Sequence, residues 1–287
     1  MLTIDPKEVK TSVLHSYLLG AVAPRPIAFA STIDNEGRPN LAPFSFFNIF
    51  SANPPIAIFS PARSGRTGET KHTYNNIKEV PEVVINIVNY SMVQQVSLAS
   101  TEYPEGVNEF TKAGFTQLAS EKVRPFRVKE SPAQLECVVK QVIELGAHGG
   151  AGNLIICEVV LMHINEDVLD DNKQIDPHKI DLVARMGGNF YSRASGTSLF
   201  EVEKPILNLG IGIDLIPDHI RRSDVLSANN LGQLGNIEKI PSIEEINEYR
   251  NSGEANNITK ETAHQEAKKL LNINKVREAW KVLLSFP

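Results

Sequence analysis

LECVVKQVIELGAHGGAGNLIICEVVLMHI, from Leu135 to Ile164, carries two long apolar runs around a glycine-rich centre. In the first run Leu135, Cys137, Val139, Ile143 and Leu145 fall on one face and Glu136, Lys140 and Glu144 on the other, the period-two pattern of a strand with one wet side. The second run, Asn153 to Ile164, predicts a strand of similar length. GAHGGAG, Gly146 to Gly152, lies between them. A dinucleotide-binding glycine loop requires a strand before it and a helix after it, whereas here a strand follows, so the segment reads as a flexible hairpin of a barrel wall.

The residues before this hairpin extend the same pattern. PIAFAST (Pro26 to Thr32), the polar turn Asp34 to Gly37 and NLAPFSFF (Asn40 to Phe47) predict a first hairpin, and PIAIFS (Pro55 to Ser60) a third strand. A helix is predicted from Thr70 to about Val80, a strand from Glu82 to Val88, and a second helix from Ser91 to about Ser100. Five or six such strands with short helices between them favour a closed antiparallel barrel, mainly β with inserted α, over a parallel sheet. After about Lys204 the character turns helical. Ser242 with Glu245 reads as a capping box, and Ala263, Ala267, Leu270 and Leu271, then Val276, Ala279, Trp280, Leu283 and Leu284, form apolar stripes. The predicted division is a barrel domain over 1–205 and a helical C-terminal extension over 206–287.

With 287 residues, 41% of them hydrophobic, the chain can bury a substantial core. A formal net charge of -5 and the lack of any long basic block argue against a nucleic-acid partner. No apolar run reaches the roughly 18 residues of a membrane span, and the first residues do not read as a signal peptide, so a cytoplasmic protein with no membrane partner is expected. Cys137 and Cys157 sit in strand-like runs with no CxxC or HExxH pattern, which predicts buried reduced thiols and no metal. There is no GxSxG elbow. Among seven scattered histidines, His148 in the glycine-rich hairpin is the candidate for a role near a nucleotide, and His163 reads as structural. In SGRTGETKHT, Ser64 to Thr73, glycines, hydroxyls, Arg66 and Lys71, with Arg63 just before, precede a predicted helix N-terminus, a place that favours an anion.

Three segments, in order, resemble the flavin reductase-like family of flavin mononucleotide-binding split barrels, at its longer-chain members: RPIAFASTIDNEGRPNLAPFSFFN (Arg25 to Asn48), RSGRTGETKHTYNNI (Arg63 to Ile77) and ARMGGNFYSR (Ala184 to Arg193). The likeness runs from about Ser16 to Pro205. It implies an FMN-binding split β-barrel with inserted helices and a helical C-terminal extension, homodimeric, with one FMN in a groove near the subunit interface. Carried onto this sequence, the resemblance assigns Arg63, Lys71 and Thr73, with Ser60 nearby, to the FMN phosphate, and Asn40, Leu41, Ala42, Pro43, Phe44, Ser45 and Phe46 to the isoalloxazine ring. Arg185, Gly188 and Tyr191 would belong to a segment closing over the flavin. His72 stands where family members commonly carry an acid. Plain core packing accounts for at least one of Phe44, Phe46 and Phe47.

The implied activity is FMN-dependent hydride transfer from NADH or NADPH to a small-molecule acceptor. Such a reaction asks mainly for orientation, with the nicotinamide carbon about 3–3.5 Å from the flavin, so the lack of an acid–base dyad agrees with it. Two alternatives share the cofactor: an oxygenase-like flavoprotein acting on a small organic substrate, and a non-catalytic FMN-binding protein.

Overall fold

A computed structural model of the chain describes residues 1–205, 209–256 and 258–286; residues 206–208, with which the expected C-terminal extension begins, and Pro287 lie outside the described residues. The chain divides into two compact units, Met1–Phe200 and Glu201–Pro287.

In the first unit, helix α1 (Thr11–Ala21) precedes strands β1 (Ala28–Ile33), β2 (Pro39–Phe44), β3 (Phe47–Ala52) and β4 (Pro55–Phe59). Helix α2 (His72–Glu79), strand β5 (Glu82–Ile87) and helices α3 (Val93–Leu98) and α4 (Glu109–Ala113) follow. Next come the short pair β6 (Gln117–Leu118) and β7 (Arg127–Val128), the long strands β8 (Ala133–Glu144) and β9 (Asn153–Ile164), helix α5 (Pro177–Ile180), and the small hairpin β10 (Val183–Arg185) and β11 (Tyr191–Arg193).

Seven strands form one antiparallel sheet in the order β2-β1-β5-β8-β9-β4-β3. Its two edge strands, β2 and β3, are neighbours in sequence, joined only by Ser45 and Phe46. The sheet therefore curls until its edges meet at that corner, which is the geometry of a barrel with a seam. Strand β1 is buried on both sides. Phe29 faces a cluster with Leu41, Met92, Val96 and Phe110, and Ala28 and Ala30 face a second cluster with Phe59, Ile85, Leu135 and Ile155, as alternation along a strand requires.

Three expectations are corrected. Phe47–Ala52 is a strand, β3, paired with β4, where only two strands were expected from Asn40 to Ser60. Its apolar Ile49 and Phe50 face outward, so its pattern is not that of a core strand. The expected apolar face of β8 breaks at Ile143 and Leu145. The register with β9 shifts between Val139 and Gln141, and an extra residue reverses which side chains point inward, so Val142 joins the core while Ile143 and Leu145 are exposed.

Glu136, expected on the wet face, is 0% exposed. Its carboxylate accepts the N–H groups of Glu121 (2.9 Å), Lys122 (2.6 Å) and Val123 (3.3 Å), and His163 Nε2 lies 2.7 Å away. Burial alone would push this carboxyl up, yet the hydrogen bonds from the turn and His163 hold it below the usual range.

The second unit contains helices α6 (Asp218–Arg221), α7 (Ala228–Gly235), α8 (Ile243–Asn251), α9 (Lys260–Asn272) and α10 (Val276–Ser285). Ser242 and Glu245 form the capping box of α8. Ala263, Ala267 and Leu271 of α9 pack with Ala279, Trp280 and Leu283 of α10 in the core of this unit. No helix among the described residues is long and apolar enough to cross a membrane.

Candidate functional site

At the corner where β2 passes into β3 the first unit opens a cavity of about 560 Å³, within the range that holds small molecules and cofactors. Three segments of the chain form most of it, with His15 and Leu19 of α1, residues 99–103 and Glu109 completing its walls. The first is β2 and its turn. Asn40, Ala42, Pro43, Phe44, Ser45 and Phe46 line the cavity, and because β2 is an edge strand, alternate backbone groups point away from β1. Leu41 does not line it: its side chain is wholly buried and its N–H is donated to Glu109 Oε2 at 3.0 Å. Phe44 packs against Phe59 with ring centroids 5.6 Å apart, so it serves core and cavity together, whereas Phe47 packs on the core alone.

The basic loop and α2 form the second segment. Ser60, Ser64, Thr70, Lys71 and Thr73 line the cavity. No side chain caps the N-terminus of α2, which leaves its first N–H groups and the positive end of its dipole directed outward. Asn40 Nδ2 donates to Thr73 Oγ1 at 2.9 Å, tying the strand to the helix. Ser60 Oγ and Arg63 Nε are buried without any hydrogen-bond partner, orphaned groups of the sort a ligand satisfies.

The glycine-rich hairpin explains how the loop is held. Arg63 N donates to Ala151 O (2.9 Å), Gly150 N to Arg63 O (3.0 Å) and Asn153 Nδ2 to Pro61 O (2.9 Å). A Cβ on Gly149 would stand 2.8 Å from Ser64 O, so glycine is required there for the two backbones to approach, and one on Gly152 would stand 2.7 Å from the Ser60 hydroxyl oxygen. The segment is a brace for the basic loop.

Arg185, Met186 and Gly188 make the third segment, together with Arg25. Arg25 is 6% exposed; its Nη1 donates to Leu19 O and Val22 O, both at 2.6 Å, and its Nη2 to Met186 O at 3.0 Å. Burial, and then the neighbouring Arg185, lowers the pKa of this guanidinium. Among the described residues neither arginine is in an ion pair, which leaves this wall positively charged.

Of the residues expected from the sequence, the structure thus gathers Asn40, Ala42, Pro43, Phe44, Ser45, Phe46, Ser60, Lys71, Thr73, Arg185 and Gly188 round one cavity. Arg63 stands in the same loop, its Nη2 3.6 Å from Glu144 Oε2. Tyr191 lies outside, in a smaller cavity of about 290 Å³ with Tyr90 and Arg193, its ring beneath the Arg185 guanidinium at 4.6 Å. His148 is exposed and does not line the cavity. Sequence reasoning missed His15, Arg25, Glu102 and Glu109. Arg25 stood inside a recognisable segment, but nothing in the sequence marks a guanidinium that gathers carbonyls or, as at Glu109, a carboxyl folded beneath a strand. Burial pushes the Glu109 carboxyl up despite its bond from Leu41 N.

A curled antiparallel sheet with a cavity and a basic loop at its seam has the architecture of a split barrel. The "Flavin reductase like domain" family matches residues 20–179. An uncharacterized protein of Aquifex aeolicus is 35% identical over 198 residues, covering 68% of this chain and 97% of its own length. The crystal structure of nitrilotriacetate monooxygenase component B from Bacillus cereus is similar with a TM-score of 0.66 at 32% identity, over 70% of this chain and 98% of that one. A Shewanella frigidimarina protein with a split barrel domain shares the fold, with a TM-score of 0.59 at 23% identity over 71% of this chain and 100% of its own. The chain belongs to the flavin reductase-like family, and with that membership comes a flavin-related oxidoreductase role. The second unit lies beyond the residues that the family matches.

Proposed function

We propose that the protein is an FMN-dependent oxidoreductase in which NADH or NADPH supplies hydride and a second small molecule accepts the electrons. The observation that carries this reading is one cavity in which an open strand edge meets an uncapped, basic helix N-terminus. FMN asks for both surfaces: a slot with backbone groups for its ring, and cationic and N–H donors for a phosphate of about −1.5 to −2 charge. The residues fit the group, since the orphaned Ser60 Oγ belongs to a residue that lines the cavity beside Lys71 and Thr73, with Arg63 close by in the same loop.

When bound there, the flavin supplies reversible hydride acceptance and donation. The chain's own residues bind and orient. Arg63, Lys71 and the α2 N-terminus hold the anion, β2 and its turn offer the ring a slot faced by Phe44 and Phe46, and the Arg25–Arg185 wall supplies positive charge. Because orientation accounts for much of such a transfer, no acid–base dyad is needed. The likeness at 32% identity to a monooxygenase component supports an oxidoreductase reading.

The same proposal takes the protein as a homodimer, supported by exposed Ile49 and Phe50 on β3, Ile143 on β8 and Val160 and Met162 on β9, apolar side chains that a second copy would cover. It also takes it as cytoplasmic, which suits two free, buried thiols, Cys137 pushed up to about 12 by burial and Cys157 pushed up as well. The test is the visible spectrum of the protein with FMN before and after anaerobic NADH, then NADPH. Bleaching of the flavin band by one nucleotide is expected; failure to take up FMN, or a bound flavin indifferent to both nucleotides, overturns the reading.

A further inference from the structure

Glu102 stands on the loop between α3 and α4 and lines the cavity with Lys71. Its Oε2 accepts from Arg66 Nη2 at 2.6 Å and its Oε1 from Lys71 Nζ. These contacts, the hydrogen bond from Lys71 first among them, hold the carboxyl below the usual range. A carboxylate of the chain itself therefore occupies two cations of the anion-accepting segment. Of the other acids of the neighbourhood, Glu69 accepts from Thr67 Oγ1 at 3.0 Å and Glu109 from Leu41 N at 3.0 Å, while Glu144 accepts from the Tyr74 hydroxyl and lies 3.6 Å from Arg63 Nη2, so that among the described residues Glu102 alone holds Lys71 and Arg66.

The clamp is also weak. The Glu102 side chain is 51% exposed and that of Arg66 84%, and ion pairs so placed open at little cost. A phosphate of about −1.5 to −2 charge arriving at Lys71 must displace this carboxylate or sit beside it against like-charge repulsion. Either way the phosphate is held less tightly than the same cations would hold it alone, while a flavin without phosphate feels neither effect.

We propose that Glu102 competes with the flavin phosphate for Lys71 and Arg66, and so sets how strongly the site prefers phosphorylated flavin and makes FMN an exchanging cofactor. This rests on the reading of the Arg63–Thr73 segment as the phosphate end. Its test is the affinity for FMN and for riboflavin, read by quenching of flavin fluorescence, in the full chain and in the variants Glu102→Gln, Glu102→Ala, Lys71→Gln and Arg63→Gln, with thermal melting confirming that each is folded. Both Glu102 variants are expected to tighten FMN about three- to tenfold and to leave riboflavin unchanged. Lys71→Gln is expected to weaken FMN selectively.

If Lys71→Gln weakens FMN selectively while the Glu102 variants weaken it, leave it unchanged, or tighten both flavins alike, Glu102 merely supports Lys71 and this inference falls alone. If neither Lys71→Gln nor Arg63→Gln changes the preference for FMN over riboflavin, the phosphate reading falls and this inference falls with it.

Discussion

Two carboxylates of the first unit, Glu136 under the barrel wall and Glu102 at the cavity, both titrate below the ordinary carboxylate range, for opposite structural reasons. Around the wholly buried Glu136 the donors are successive N–H groups of a turn, fixed by the backbone. Around Glu102 they are the tips of a long lysine and a long arginine that remain half in solvent. The first arrangement has nowhere else to send its donors, so the anion belongs to the fold. The second can trade its anion for another. Depressed acidity alone therefore does not separate a structural carboxylate from an exchangeable one; the mobility of its donors does.

The most damaging way to test that contrast is Glu136→Ala, which strands three turn N–H groups, that of Val123 buried, and His163. It should cost about 3–5 kcal/mol in urea unfolding, and a change under about 1 kcal/mol would mean that the turn finds other partners. Next is the double charge reversal Arg63→Glu with Lys71→Glu, expected to weaken FMN by more than about 100-fold in a fluorescence titration, since two charge-assisted bonds at about 1.5–3 kcal/mol each are lost. Unchanged FMN affinity would remove the phosphate site altogether.

Gly149→Ala probes the brace. With its Cβ 2.8 Å from Ser64 O, the loop must shift, and FMN affinity should fall about tenfold while the melting temperature of the second unit stays put. The mildest test uses pH. A carboxyl held below its ordinary value of about 4.3 contributes its full stabilisation above that pH and loses it as the pH falls through the lower folded value. The urea midpoint should accordingly decline on acidification below that point, and Glu136→Gln should flatten the decline.

Much of the fold could be read from alternation. Strand β9 was expected at the bounds it has, and the basic segment before α2 stood out by its glycines, hydroxyls and cations ahead of a helix, a composition that suits an anion site and a solvated surface loop equally. Strand β3 escaped because its apolar residues face outward, which reverses the usual signal. The faces of β8 escaped because a single bulge residue flips every later side chain, and one inserted residue has no mark in a period-two pattern. At the site, local segments were legible and long-range partners were not. Glu109 reaches Leu41 across 68 positions and Arg25 reaches Met186 across 161, contacts that only the closed barrel brings about.

The chain holds one tryptophan, and it lies wholly within the core of the second unit, its Nε1 donating to Leu234 O at 3.0 Å. Without bound flavin, indole emission thus reports on the core of Glu201–Pro287, while any flavin signal would arise from Met1–Phe200. Two colours of light can follow the two halves through a single melt without a label on either, and whether the curves coincide would tell whether the halves unfold as one.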